Sequence, residues 1–341
     1  MPFLKISKRI DKIPRLWCKC AAGLLVLALA LLASPALRAQ DTEQTEDELV
    51  ASLACGRVVI AVTKDAILIA SVENKIEPAT RPPVIVPLGT RRAAILLGAD
   101  IWSVPSSGVL LARLDQELGH LHSSTQLSAP HLQQGEGAEA VELEMLATGL
   151  RDRLNEIVAQ IHGRLDLHPD EPIVELLIAD YVAAYGPEVW LVSYTVSQEP
   201  IRGDYYFSST VARPRFDQLW PPEKGQPHTL LEIQYPSDAS SETLLSLLQK
   251  NDPRLENISS ADAVIAETFR SCDSRKIESP ETLQFLRAAL DRVTPPGAGE
   301  AIALISEKTG FEWILEPPKE KEIGPQKNRP PSAPTLIKPS N

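Results

Sequence analysis

Apolar residues in the segment 55–102 fall into four runs separated by short turns. The runs cover residues 56–62, 66–71, 84–88 and 93–100. Short runs rich in Val, Ile and Leu that are bounded by turn residues are typical of β-strands. We therefore expect two consecutive antiparallel strand pairs in this segment, with turns at 63–65 and 89–92.

The rest of the chain alternates between groups of helices and groups of strands. Apolar residues spaced three to four positions apart predict helices at 105–121, 138–162, 241–250, 260–272 and 280–293. Extended patterns predict strands at 173–181, 188–196, 203–211, 229–233, 301–305 and 311–315. The Pro-rich segment 213–226 is expected to be irregular. Strands in hairpins, with helices grouped between them, indicate antiparallel sheets covered by helical layers.

The first 39 residues have the layout of a secretory signal peptide. A region rich in Lys and Arg precedes the apolar run 21–33, and the small-residue region 34–39 is suited to cleavage. The apolar run is shorter than the roughly 20 residues that a membrane-spanning helix needs. We therefore expect an exported protein, periplasmic or extracellular, without a membrane span after cleavage; an uncleaved signal anchor is the alternative.

The charge of the chain excludes two classes of partner. The chain has 34 Lys and Arg against 45 Asp and Glu, and residues 1–39 contribute seven of the basic and one of the acidic residues. The remaining chain therefore has 27 basic and 44 acidic residues, a net charge of −17. Because such a surface repels phosphate groups, we expect no nucleic-acid partner and no docking on anionic membranes.

Two segments that flank the apolar part of the chain lack any apolar periodicity. Residues 40–54 are expected to form an acidic flexible lead-in or a propeptide, and residues 316–341 a disordered tail rich in Pro and Lys. The chain is 43% hydrophobic, which is enough to build a substantial core. We therefore expect residues 55–315 to form the folded domain.

The segment 55–315 resembles the proteasome-type N-terminal-nucleophile (Ntn) hydrolases. Residues 58–65 (Val-Val-Ile-Ala-Val-Thr-Lys-Asp) are similar to the first strand and turn of this family, and 178–191 looks like its central hairpin. The Gly-rich turn and strand at 295–305 resemble a segment near the end of bacterial proteasome-like proteins. The resemblance implies an α+β fold, a four-layer αββα sandwich of antiparallel sheets.

The resemblance also implies a specific chemistry. In this family the α-amine of the N-terminal nucleophile is the general base, a buried lysine lowers the pKa of the nucleophile, and an aspartate orients the lysine. The nucleophile position falls on Cys55, and residues 40–54 would be removed by self-cleavage. The aspartate position holds Ser71, and no lysine lies between Ile76 and Leu88, where the family lysine is expected. Arg81 is a poor replacement because it stays protonated.

These departures from the family favour a non-catalytic scaffold that serves binding or assembly. Its partner would be a second copy of the chain, or a peptide or protein. One alternative is an autoprocessed Ntn hydrolase of amide or peptide bonds with Cys55 as the nucleophile. The other is an unrelated secreted α+β binding protein.

The remaining candidate residues have simpler explanations. Cys55 and Cys272 are the cysteines left after removal of residues 1–39, and they are candidates for a disulfide. Ser71 and Thr63 are explained as ordinary strand positions. His120 and His122 have no evident third ligand and are expected at a helix end, where a cation complements the helix dipole. The sequence indicates no cofactor and no metal site.

Overall fold

The computed structural model has an α+β fold with mostly antiparallel sheets. It describes residues 50–73, 80–104, 109–128, 138–160, 171–182, 185–201, 207–222, 229–236, 242–255, 260–271, 278–294 and 298–317. The strands are β1 (Val50–Ala54), β2 (Gly56–Val62), β3 (Ala66–Glu73), β4 (Thr80–Arg81), β5 (Val84–Pro87), β6 (Arg92–Val104), β7 (Val109–Arg113), β8 (Val174–Val182), β9 (Gly186–Tyr194), β10 (Val196–Pro200), β11 (Phe207–Val211), β12 (Arg215–Trp220), β13 (Leu230–Tyr235), β14 (Glu300–Ser306) and β15 (Gly310–Leu315). The helices are α1 (Leu114–Ser128), α2 (Ala138–Val158), α3 (Leu244–Gln249), α4 (Ser260–Ser271) and α5 (Ser279–Val293), with a short 3-10 helix at Pro253–Leu255.

Most strands belong to two sheets. Sheet A has the order β12-β9-β8-β6-β1-β4, and β5 and β7 also pair with β6. Sheet B has the order β13-β2-β3-β14-β15, while β10 and β11 form a separate ribbon. The short β1–β4 pairing is parallel, and the other pairings within the described residues are antiparallel.

The hairpins predicted at the start of the domain are confirmed. In sheet B, β2 pairs with β3, from Val62 opposite Ile67 to Gly56 opposite Glu73. In sheet A, β5 pairs with β6 in the same antiparallel sense. The closing hairpin of β14 and β15 is confirmed as well, in sheet B. The first two hairpins therefore lie in different sheets, although they follow each other in the chain.

Three clusters of buried apolar residues hold these elements together. The first contains Leu150 of α2 and other residues of α1 and α2, packed against strands of sheet A. The second contains Phe285 of α5 and residues of α3 and α4, packed against sheet B. The third is built by strands of both sheets and includes Ile60 of β2 and Ile95 of β6. Burial of these side chains supplies the main driving force for folding.

Among the segments that differ from the sequence prediction, three do so because of strand pairing. Val109–Arg113 is a strand rather than the start of a helix, because it pairs with the far end of the 13-residue strand β6. Arg215–Trp220, predicted to be irregular, forms strand β12 and pairs with β9. Sheet A includes Val50–Ala54, so the ordered sheet begins five residues before the expected domain start at Cys55. In each case a tertiary pairing outweighs the local pattern.

Candidate functional site

Cys55 lies where the chain crosses from sheet A to sheet B. It follows β1, which pairs with β6, and precedes β2, which pairs with β3. The residue is 2% exposed, and its backbone N–H donates a hydrogen bond of 2.9 Å to the carbonyl oxygen of Arg81. Gly56 takes a φ of 155° at this crossing, a conformation that side-chain-bearing residues rarely adopt. The backbone geometry thus fixes Cys55 between the two sheets.

The peptide bond that precedes Cys55 belongs to the folded structure. Ala54 is fully buried, and all five residues of β1 have partners on β6, from Val50 opposite Ser103 to Ala54 opposite Gly98. An Ntn nucleophile needs a free α-amine as its base. In the continuous chain the nitrogen of Cys55 is an amide that donates to Arg81, so it cannot accept a proton.

Ser71, which the sequence resemblance places at the position of an aspartate, makes a structural contact. It lies on β3 opposite Val58 and Ala301 and is fully buried. Its hydroxyl donates to the carbonyl oxygen of Pro83 in the segment that leads into β5. This hydroxyl links the two hairpins, but it lacks the negative charge that would hold a lysine.

Thr63 lies at the other end of β2, far from Cys55. Its hydroxyl donates to Asp65 at 3.0 Å and accepts from the N–H of Ala66 at 3.0 Å, which shapes the turn between β2 and β3. Eight residues of extended chain separate it from Cys55, roughly 25 Å at the rise of a strand. The structure therefore does not bring Thr63 and Cys55 into one site.

Arg81, whose carbonyl oxygen accepts the hydrogen bond of Cys55, has a buried acidic partner. The guanidinium group of Arg81 forms an ion pair with Asp100, whose side chain is 1% exposed. Burial raises the pKa of the Asp100 carboxyl to about 6, and the attraction of Arg81 only partly offsets this effect. Arg81 stays protonated and cannot exchange protons with the thiol of Cys55. Asp100 thus compensates the charge of Arg81 beside the point where the chain crosses between the sheets.

Tyr235 lies in sheet B, opposite the residue that follows Cys55. It is the last residue of β13, opposite Gly56, and its hydroxyl donates to the carbonyl oxygen of Pro172 at 3.3 Å. A Cβ atom at Gly98 would lie 3.2 Å from the Tyr235 ring and 2.4 Å from the Ile173 oxygen, so only glycine fits there. Burial is the main cause that raises the pKa of Tyr235, and the charges of Cys55 and of nearby carboxylates add to it.

Glu175 is a second group of this region that the sequence prediction missed. It lies on β8 opposite Ser193, and burial raises the pKa of its carboxyl, while Arg215 lowers it. Asp100 and Glu175 both interrupt apolar strands. A charge inside an otherwise apolar strand is therefore the signal that could have identified this region.

The histidine pair lies inside a helix rather than at its end. Because α1 continues to Ser128, His120 and His122 are two residues apart on a helix and do not share a face. His120 is exposed, whereas His122 is buried with its Nδ1 3.6 Å from Glu142. Burial lowers the pKa of His122. No group of three or more His, Cys, Asp or Glu within the described residues is arranged to hold a metal ion.

The predicted disulfide remains a prediction, because Cys272 lies outside the described residues. No helix in the described part of the chain combines the length and apolar character that a membrane crossing requires. No family model and no curated protein sequence matches the chain.

Proposed function

We propose that the protein is an exported, non-catalytic scaffold with the four-layer αββα architecture of proteasome-like Ntn proteins, and that it serves binding or assembly. The observation that carries the proposal is the pairing of β1 with β6, which continues up to Ala54, the residue directly before Cys55. Cys55 has an ordered strand before it, and its backbone nitrogen is held by Arg81. A nucleophile that depends on its own α-amine does not operate in this state.

The architectural part of the proposal is supported by the packing of the layers. Helices α1 and α2 share a core with sheet A, and α3, α4 and α5 share one with sheet B. Strands of the two sheets share the third core. The order helix, sheet, sheet, helix is the one that an αββα sandwich requires.

The non-catalytic part is supported by the residues around Cys55. Ser71 donates to Pro83 where the family keeps an aspartate, and Arg81 is bound to Asp100. Neither contact supplies the lysine and aspartate that activate the nucleophile in the Ntn family. Export is supported by the signal-peptide pattern of residues 1–39.

The competing function is an autoprocessed amide hydrolase with Cys55 as the nucleophile. The position of Cys55 directly before β2, the first strand of sheet B in the chain, favours it. This function requires cleavage between Ala54 and Cys55. Cleavage there would break the covalent link between β1, which is paired along its whole length with β6, and β2.

The position of the mature N-terminus separates the two functions. We would express the full chain in a secreting host and determine the intact mass and N-terminal sequence of the exported protein. A mature chain that starts near Gln40, unchanged in Cys55→Ala, is the expected result. A wild-type chain that starts at Cys55, with Cys55→Ala left unprocessed, would overturn the proposal in favour of the hydrolase.

A further inference from the structure

Strand β12 forms one edge of sheet A. It pairs with β9 from Arg215 opposite Ser193 to Trp220 opposite Val189. In the part of the chain that the structure describes, no strand pairs with its other edge. An edge strand presents unpaired backbone N–H and C=O groups, which are a template for pairing with another chain.

Strand β12 has one basic and one acidic side chain. Arg215 and Asp217 lie two positions apart on β12 and therefore project from the same face of the sheet. Their side chains are 74% and 45% exposed, and they form an ion pair of 3.0 Å within the chain. Phe216 lies between them, on the opposite face, and is partly buried against the core beneath α1 and α2.

This pattern is complementary to itself under a two-fold rotation. When two copies of β12 pair antiparallel with Phe216 on the axis, Arg215 of each copy lies directly opposite Asp217 of the other. Opposite charges at directly facing positions stabilise a strand pair. An axis through Arg215 or Asp217 would instead bring two like charges together. Among the registers centred on residues 215 to 217, the charges therefore favour the one centred on Phe216.

The outer strands of sheet B lack this property. The charged residue of β15 is Glu312, which would face its own copy in a two-fold pairing about that position. The charged residue of β13 is Glu232, which is buried and ion-paired with Arg57 at 2.9 Å. Of these three outer strands, β12 is therefore the one whose charges favour a second copy.

We propose that the protein forms a two-fold dimer in which the β12 strands of two copies pair antiparallel and join their sheets A into one continuous sheet. The inference rests on the assembly role proposed above and names its surface and its partner. Each interface contains two Arg215–Asp217 pairs between the copies. The dimer is a closed, isologous assembly, because the same strand serves on both sides.

Charge reversal on β12 tests the proposal. Sedimentation would be measured over a series of protein concentrations for wild type, Asp217→Arg, and the double variant Arg215→Asp/Asp217→Arg. We expect a concentration-dependent dimer of wild type, at least about tenfold weaker dimerisation of Asp217→Arg, and recovery in the double variant, where opposite charges face each other again. In the double variant, residues 215 and 217 of one chain still have opposite charges. It therefore controls for the loss of the ion pair within the chain that Asp217→Arg causes.

Amide hydrogen exchange locates the interface. Residues 215–217, which face each other in this register, should be more protected at high than at low protein concentration in wild type and in the double variant, but not in Asp217→Arg. Circular dichroism and thermal unfolding would verify that each variant is folded. A strictly monomeric wild type, or a dimer that is insensitive to Asp217→Arg, overturns the proposal. Neither result affects the mature N-terminus, which separately decides the proposed non-catalytic function.

Discussion

Two arginines of sheet A, the buried Arg92 and the partly buried Arg81, differ in how their charges are compensated. Arg92, at the start of β6, donates through Nε to Asp180 at 2.7 Å and contacts Glu142 of α2 through Nη1 at 2.9 Å. Arg81, beside Cys55, forms its ion pair with Asp100, near the other end of β6. The first site ties the sheet to a helix, and the second lies where the chain crosses between the sheets.

The two sites differ in whether burial or the ion-pair partners decide the direction of the pKa shift. Burial by itself would lower the pKa of Arg92, but Asp180 and Glu142 raise it. At Asp100 burial prevails over the attraction of Arg81 and raises the pKa of the carboxyl to about 6. A buried charge is stabilised when several partners share it, because each additional hydrogen bond offsets part of the desolvation. Burial of the Asp100 carboxyl is therefore less completely offset than burial of the Arg92 guanidinium.

The largest effect is expected when Arg92 is replaced by methionine. Arg92→Met leaves Asp180 and Glu142 without their buried cation, and such a loss typically costs about 3–5 kcal/mol of unfolding free energy. Urea denaturation at neutral pH measures it. Arg213→Met is the matched control, since Arg213 is 82% exposed and contacts Glu144 of the same helix α2 at 3.4 Å. The control should stay close to wild type, and an equal loss in both variants would remove the contrast between the sites.

A smaller effect is expected from the titration of Asp100. Its carboxyl has a pKa of about 6 in the folded protein, above the roughly 3.9 of an unfolded chain. The folded state therefore binds this proton more tightly, and the stability it contributes is fully present below pH 4 and lost as the pH rises through 6. A shift of about two pKa units corresponds to about 3 kcal/mol.

Asp100→Asn isolates this contribution. The unfolding free energy of wild type minus that of the variant should fall by about 3 kcal/mol between about pH 4 and pH 7. Other titrating groups act in both proteins and cancel in the difference. A difference that does not change with pH would mean that Asp100 is as well compensated as Arg92, and the comparison would fail.

The sequence predicts those parts of the fold that depend on local patterns. The strands around the turn at Thr63 and the helices α2, α4 and α5 follow from apolar spacing, and each forms close to its predicted bounds. Strands β7 and β12 do not follow from it, because β6 and β9 supply their pairing partners. The burial of Cys55 likewise depends on β1, which adds to the sheet only because β6 extends to Val104.

The candidate site could be predicted only in part. The sequence indicates the missing aspartate at Ser71, and it also shows that Asp100 and Asp180 interrupt apolar strands. A buried carboxylate needs a partner. The identity of that partner depends on contacts between distant parts of the chain, such as Arg92 with Asp180, 88 residues apart, which no local pattern contains.

The smallest effect is expected at Ser71, where the Cys55 end relies on a neutral hydroxyl rather than a charge. Ser71→Ala removes its hydrogen bond to the Pro83 carbonyl and should lower the unfolding free energy by about 1 kcal/mol. Ser123→Ala is the matched control, because that exposed hydroxyl donates to the Gly119 oxygen within α1 and water can replace it. Thermal and urea unfolding measure both variants. A loss at Ser71 as large as that of Arg92→Met would show that this hydroxyl, rather than the ion pairs, holds the two hairpins together.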